Sequence, residues 1–173
     1  MYPRLVSTLL LAGGFAFASV TAMSPAVFVR EAAIGNMSEV ELGRLALSNS
    51  SNADVKQFGQ RMIDDHTKAL EGLKAVAAKE SFQVPSALDD KQRAVKERLG
   101  KLSGGDFDRA YVKEMVKDHN EGVRAFQREA RYGTNAAIRD YASQTLPTLQ
   151  EHQRLISNID SMMSGRTLTP SHQ

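Results

Sequence analysis

The chain has 173 residues, enough for one domain with a substantial core, and it carries 22 Lys and Arg against 20 Asp and Glu. This charge balance, without a run of basic residues interleaved with aromatics, argues against a nucleic-acid partner. Cysteine is absent, which excludes disulfides, thiolate metal sites, thiol catalysis and lipid attachment at a lipobox.

The first 22 residues have the pattern of an export signal. Arg4 supplies a positive charge, residues 5–20 are apolar or small, and small residues precede a cleavage point after Ala22. The sequence therefore predicts a bacterial signal peptide over residues 1–22 and a periplasmic or secreted protein with no membrane span after cleavage. The alternative is an uncleaved inner-membrane anchor, because the apolar stretch approaches the ~18 residues that can span a bilayer.

Helical periodicity dominates the rest of the chain, and no strand-like alternation persists. A first long helix is predicted from about residue 25 to residue 48, with Glu39 in the centre of its apolar stripe. Asn52 is a good N-cap for a second long helix that reaches about residue 80. The apolar stripes consist of Phe28, Ala32, Gly35, Leu42 and Ala46 in the first helix, and of Val55, Phe58, Met62, Ala69, Leu73 and Val76, together with His66, in the second.

A break at residues 83–85 precedes a short charged helix, which Ser86 and Asp89 are predicted to open as a capping box. After a second break at residues 103–105, a third long helix is predicted to about residue 132, and Asn135 caps a fourth that reaches residue 163. The bundle domain is therefore predicted over residues 25–163, followed by a disordered tail over residues 164–173.

Four long helices, with short links inside each pair and a long link between the pairs, describe an all-α, ferritin-like four-helix bundle. The central link contains the short helix and is long enough to return along the bundle, so a long crossover is predicted. A weak internal repeat agrees with this arrangement, since residues 52–59 resemble residues 135–142 and each segment leads toward an acid-His pair.

Three of the four histidines directly follow an acid and lie near the middle of three different long helices. Because mid-height groups of a bundle share one layer, His66, His119 and His152 are predicted to converge in the interior. With Glu39, or alternatively Glu41, they supply enough ligands for Zn²⁺ or copper, or for iron with open positions. The alternative is a metal-free, hydrogen-bonded network of buried histidines and carboxylates.

The acids that precede the histidines point about 100° away from them on a helix, so both members of a pair cannot easily reach one ion. Asp65, Asp118 and Glu151 are instead predicted to support the site, by orienting an imidazole on a neighbouring helix or by holding a lysine or arginine. Met62 and Met115 stand four residues before two of the histidines. They are candidate soft ligands that suit copper, with core packing as the alternative reading.

Six segments of the predicted long helices together match the sequence pattern of a known protein family. They are residues 28–33, 39–43, 58–66, 107–111, 118–119 and 145–152. On them the chain resembles the bacterial exported family catalogued as domain of unknown function 4142, which is grouped with ferritin-like folds. The resemblance implies a fold and an exported location but no established activity. Residues 107–119 also resemble a second exported ferritin-like family, whose His- and Met-rich members are linked to copper, although this chain lacks its paired histidines.

The chain departs from the ligand pattern of di-iron proteins. Ferritin-like oxidases use Glu-x-x-His on two helices, which places both ligands on one face. Here the residues three before the histidines are Ile63, Val116 and Leu149. A di-iron carboxylate centre is therefore not expected, and copper or zinc is preferred to iron as the cofactor.

The sequence predicts first a non-catalytic periplasmic protein that holds a transition metal, in metal handling or envelope stress. The second hypothesis is a metal-free structural or interaction protein, and the third is a metal-dependent oxidase. No Ser-His pairing or Gly-rich phosphate motif favours catalysis. The protein partner stays unassigned, and any face of the bundle could support a homo-oligomer.

Overall fold

The computed structural model describes residues 23–165, and within that range the chain is helical and contains no strand. The predicted signal peptide and residues 166–173 of the predicted tail lie outside the described residues. Ser164 and Gly165 form a turn at the end of the last helix, where Ser164 N–H donates to the carbonyl of Asp160. The helices are α1 (Pro25–Asn49), α2 (Ala53–Lys79), α3 (Asp90–Gly100), α4 (Gly104–Tyr132) and α5 (Ala136–Met163).

Short polar side chains define where the helices begin. Asn52 and Asn135 cap α2 and α5 through their side-chain oxygens, as the sequence predicts. The predicted start of the short helix at Ser86 is wrong. Asp89 is itself the N-cap of α3, because its carboxylate accepts a hydrogen bond from the Gln92 N–H at 2.8 Å. Its negative charge also interacts favourably with the positive end of the helix dipole.

Two apolar clusters show in which direction each long helix runs. The first cluster joins the beginnings of α1 and α5 to the ends of α2 and α4, and the second cluster joins the opposite ends of the same helices. Helices α2 and α4 are therefore parallel, and the chain between them must travel the length of the bundle. Phe82 and Val84 pack on the first cluster, whereas Leu99 belongs to the second, and this confirms the predicted crossover.

Two glycines allow α1 and α2 to approach closely. A Cβ atom on Gly43 would lie 2.6 Å from the carbonyl oxygen of Gly59, and one on Gly59 would lie 2.6 Å from the Cβ of Ala46. Because such distances are well inside van der Waals contact, any larger residue at either position would push the two helices apart. The α1–α2 pair is thus a closely packed half of the bundle.

A buried carboxylate of α4 holds the link between α1 and α2. Asp108 is 3 % exposed and accepts hydrogen bonds from the hydroxyls of Ser50 and, at 2.9 Å, Ser51. The Ser50 hydroxyl also accepts a hydrogen bond from the Asn52 N–H at 3.0 Å. The link that closes one half of the bundle is therefore attached to the other half.

Candidate metal centre

A polar layer separates the two apolar clusters. Each of the four long helices places buried polar residues between its contribution to the first cluster and its contribution to the second. The four helices have similar lengths, and the residues of the layer come from their middle turns, so they meet at one height. The layer consists of Asn36 and Glu39 of α1, His66 of α2, His119 of α4 and His152 of α5.

The three imidazoles lie together in the interior, at 5 %, 3 % and 0 % exposure for His66, His119 and His152. Their ring centroids are 5.9 Å apart for His66 and His119, 5.3 Å for His66 and His152, and 5.5 Å for His119 and His152. One ring nitrogen of each residue lies within 4.8 Å of the corresponding nitrogens of the other two. The predicted convergence of these histidines is therefore present in the fold.

The tautomer of His66 is determined by an asparagine on α1. Asn36 donates from its side-chain nitrogen to the carbonyl of Ala32 at 2.8 Å, so its amide oxygen faces His66. That oxygen lies 2.8 Å from His66 Nδ1 and can only accept a hydrogen bond. Nδ1 of His66 therefore carries the proton, and Nε2 carries the lone pair.

The same reasoning assigns the other two rings. Nδ1 of His119 lies 2.9 Å from the carbonyl oxygen of Met115, and Nε2 of His152 lies 2.8 Å from a carboxylate oxygen of Asp65. Both oxygens accept, so each of these nitrogens donates. The lone pairs are consequently on Nε2 of His119 and Nδ1 of His152.

The three nitrogens that carry lone pairs are buried and have no hydrogen-bond partner among the residues of the described range. Each ring has already donated its single N–H to an oxygen, so the rings cannot hydrogen-bond to one another. Leaving an acceptor buried and unpartnered costs about 1–3 kcal/mol. A cation within reach of all three lone pairs would remove that cost, and the oxygens that hold the N–H groups would fix the rings as supporting partners do in metal sites.

Burial keeps these imidazoles neutral. Removal from water lowers the pKa of His66 well below its usual value, and the neighbouring histidines lower it further. Burial likewise lowers the pKa of His119 to about 4, although the hydrogen bond to the Met115 carbonyl acts in the opposite direction. It also lowers the pKa of His152, against the hydrogen bond from this ring to Asp65. All three rings are therefore in the form that can bind a metal at neutral pH.

The carboxylate of Asp65 orients His152 across the α2–α5 contact. Burial raises the pKa of Asp65, but the hydrogen bonds from His152 and Arg61 outweigh that effect and lower the pKa overall. A charged Asp65 beside a neutral His152 fits a ring that donates from Nε2. In this contact an acid of α2 holds the imidazole of α5, and its support of a bound metal stays a prediction.

Comparison with known proteins agrees with this fold. The family model for the domain of unknown function DUF4142 matches residues 12–159. The chain belongs to the DUF4142 family. No curated protein matches it significantly. Between residues 23 and 165, no helix of this DUF4142 chain is long and apolar enough to cross a membrane.

Two crystal structures of DUF305 proteins share the fold of this DUF4142 domain. A protein from Streptomyces coelicolor that is presumed to be secreted superposes with a TM-score of 0.67 at 15 % identity, covering 85 % of this chain and 98 % of the other. A DUF305 fragment from Deinococcus radiodurans gives a TM-score of 0.68 at 14 % identity, with coverage of 80 % and 97 %. At such identities the likeness concerns the helical fold alone.

Glu39 and Glu41, the two predicted carboxylate ligands, have different positions in the DUF4142 fold. Glu39 is buried in the layer, and one of its carboxylate oxygens has no partner within the described part of the chain. Burial raises the pKa of Glu39 well above its usual value, and the charges of Asp118 and Glu114 raise it further. Glu41 instead lies on the outside, where its carboxylate pairs with Lys96 at 2.6 Å. Within residues 23–165, neither glutamate joins the group of ligand atoms that the histidines form.

The other two acids that precede a histidine do not contact an imidazole through a hydrogen bond given by the structure. Asp118 pairs with Lys117 at 3.0 Å, and Glu151 pairs with Arg154 at 2.7 Å, each on its own helix. Each of these acids therefore holds a basic side chain of its own helix, and a supporting role in the site stays a prediction. Of the three acids, Asp65 alone is hydrogen-bonded to an imidazole of another helix in the described part of the chain, namely to His152 of α5.

Both candidate methionines are fully buried next to the layer. Met62 and Met115 belong to the second apolar cluster, on the same side of the histidines as Phe58. Met115 supports the site through its backbone, since its carbonyl accepts from His119. Ligation by either thioether stays a prediction.

Asn36 is the site residue that the sequence reasoning missed. It is 5 % exposed, and its amide oxygen accepts the hydrogen bond from Nδ1 of His66. A signal was available, because asparagine is a poor residue for a helix interior and Asn36 lies one turn before Glu39 on the inward face. A polar residue that weakens its helix at a core position indicates a specific partner.

Proposed function

We propose that this DUF4142 domain binds one transition-metal ion through His66, His119 and His152, and that it serves metal handling in the bacterial cell envelope without catalysing a reaction. The observation that carries the proposal is the set of three buried lone pairs without partners, contributed by three helices. No ring can donate to another, because each imidazole N–H already donates to an oxygen of another residue. A cation is the partner that accepts all three lone pairs at once.

The donor set favours zinc or copper. Imidazole nitrogen suits both metals, and three nitrogens bound at 2.0–2.1 Å would be about 3.3–3.6 Å from one another. One nitrogen of each ring already lies within 4.8 Å of the other two, so small side-chain adjustments would bring three imidazole nitrogens to these distances. Three neutral ligands leave a fourth position for Glu39 or for solvent. The absence of Glu-x-x-His spacing in the sequence makes a di-iron centre a poor fit.

The test is metal content and metal-linked stability of the mature protein purified without a histidine tag. After equilibration with Zn²⁺ or Cu²⁺ and removal of excess ion, elemental analysis is expected to give about one ion per chain. Ion at 100 times its dissociation constant should add about 2.7 kcal/mol to the free energy of unfolding, which raises the melting temperature by about 5–10 °C.

Matched variants distinguish this site from adventitious binding. His119→Asn keeps a side-chain N–H near the Met115 carbonyl but removes the Nε2 lone pair, so it should lose bound metal and the thermal shift. Glu41→Gln is the control, since that glutamate was a candidate ligand from sequence but pairs with Lys96 on the surface. Metal bound equally by wild type and His119→Asn, or by neither, would reject the proposal.

A further inference from the structure

A cleft between α1 and α4 leads from the surface to the histidines. Its volume is about 420 Å³, and its lining includes His66 and His119. Met23 and Val27 of the α1 region, Ala125 of α4 and Lys91 of α3 also line it. The unpartnered Nε2 atoms of both histidines belong to rings on this cleft.

Two larger cavities among the described residues do not reach the rings. One of about 800 Å³ lies between α1, α2 and the crossover, and one of about 640 Å³ lies between α2 and α5. The second of these includes Asp65, the partner of His152, but no histidine lines either cavity. The α1–α4 cleft is therefore the candidate path to the site.

Two glycines keep this cleft wide. Gly35 of α1 and Gly122 of α4 both line it, and a Cβ atom on either would meet nothing within 4 Å. Both positions leave this part of the cleft wall without a side chain, although glycine weakens the interior of a helix relative to alanine. The contrast is with Gly43, where a Cβ would collide with the neighbouring helix.

The mouth of the cleft carries exposed acidic side chains. Glu31 and Glu121 are exposed at its rim, Asp118 is half-buried, and Glu39 is buried with an unpartnered oxygen. Lys91 is the one cationic side chain of the lining, although Arg30 and Lys117 pair with two of the acids from outside it. Carboxylates lining a cleft raise the local concentration of cations and speed their entry.

We propose that the α1–α4 cleft, held open by Gly35 and Gly122 and lined by carboxylates, is the route by which a divalent cation enters and leaves the three-histidine site. This inference rests on the proposed function and deepens it, because it assigns the kinetics of loading to two glycines and to the exposed acids Glu31 and Glu121, which do not bind the ion. Gly35 and Gly122 have no role in ligation, so their substitution separates the route from the site.

The test is stopped-flow measurement of Zn²⁺ association and dissociation with a fluorescent zinc chelator. A leucine in place of either glycine fills the cleft, and Gly35→Leu and Gly122→Leu should each slow both association and dissociation by about tenfold or more. The dissociation constant should stay within about twofold of wild type, because a route affects both rates equally. Gly72→Leu is the matched control, since that helical glycine of α2 lies outside the cleft.

A second set of variants tests the charge of the route and does not depend on the leucine variants folding. The double variant Glu31→Gln with Glu121→Gln should slow Zn²⁺ association several-fold at low salt and reduce its dependence on ionic strength. Asp64→Asn, in the α2–α5 cavity, is the matched control and should leave the association rate unchanged.

The outcomes separate the route from the function. If wild type binds Zn²⁺ but every cleft variant associates at the wild-type rate, the route is wrong and the proposed function stands. A raised dissociation constant with unchanged association also overturns the route, because it reports damage to the site. If wild type binds neither Zn²⁺ nor Cu²⁺, both proposals fail together.

Discussion

The buried histidines predict a specific loss of stability in acid for the metal-free protein. Burial lowers the pKa of His119 to about 4, whereas in the unfolded chain it has its ordinary value near 6.5. As pH falls below 6.5, His119 becomes protonated in the unfolded state but stays neutral in the folded state. Stability is therefore fully present above the unfolded pKa and is lost as pH falls toward about 4.

The magnitude follows from the two pKa values. One pKa unit corresponds to 1.36 kcal/mol, so between pH 7 and pH 5 this residue alone removes about 2 kcal/mol from the free energy of unfolding. The variant His119→Asn lacks that proton site and should lose about 2 kcal/mol less than wild type over the same interval. His66 and His152, whose pKa values burial also lowers, make the wild-type slope steeper still.

The assay is urea unfolding followed by circular dichroism, with a chelator present, at pH 7, 6 and 5. Burial raises the pKa of Glu39, and this acts in the opposite direction, since protonation of that carboxyl favours the fold as pH falls. Both proteins contain Glu39, so its contribution cancels in the difference between them. Equal pH dependence of wild type and His119→Asn would refute the reasoning, because it would mean that His119 titrates normally in the folded protein.

Two further predictions concern the frame around the site. Gly43→Ala should lower the free energy of unfolding in urea by about 1–3 kcal/mol, because its Cβ would lie 2.6 Å from the carbonyl oxygen of Gly59. Gly35→Ala, whose Cβ meets nothing within 4 Å, should raise it by about 0.5–1 kcal/mol, and a loss there would contradict an open cleft. Asp108→Ala removes two hydrogen bonds from serine hydroxyls to a buried carboxylate and should cost about 3 kcal/mol. The exposed Asp106→Ala, on the same helix, should change the free energy by less than about 0.5 kcal/mol, and equal losses in both variants would contradict that role.

The sequence by itself determined the helices and the height of the site. Apolar residues at helical spacing predict four long helices, and the confirmed crossover follows from the length of the link between the two pairs. His66, His119 and His152 lie near the middles of helices of similar length, so one-dimensional positions are enough to place them in one layer. This works because rise per residue in a helix is constant and does not depend on neighbours.

The choice between similar residues required the tertiary structure. Glu39 and Glu41 are both near the middle of α1, but two residues turn a helix by about 200°, so only one can face the interior. Likewise the acids before the three histidines occupy the same sequence position, yet only Asp65 has the ring of another helix beside it. The periodicity of apolar residues predicts which face of a helix is buried. It does not predict which neighbouring helix that face contacts, because the contact depends on the rotation of the helix in the bundle.

The sequence therefore determined which residues arrive at the centre, and the tertiary structure decided how they are held there. Asn36 became part of the site only when α1 was packed against α2, because its amide reaches a ring 30 positions away in the chain. The tautomers of the imidazoles, and with them the three unpartnered lone pairs, are consequences of such contacts. A hydrogen bond between helices is determined to within tenths of an ångström by packing, a precision that spacing along one helix does not contain.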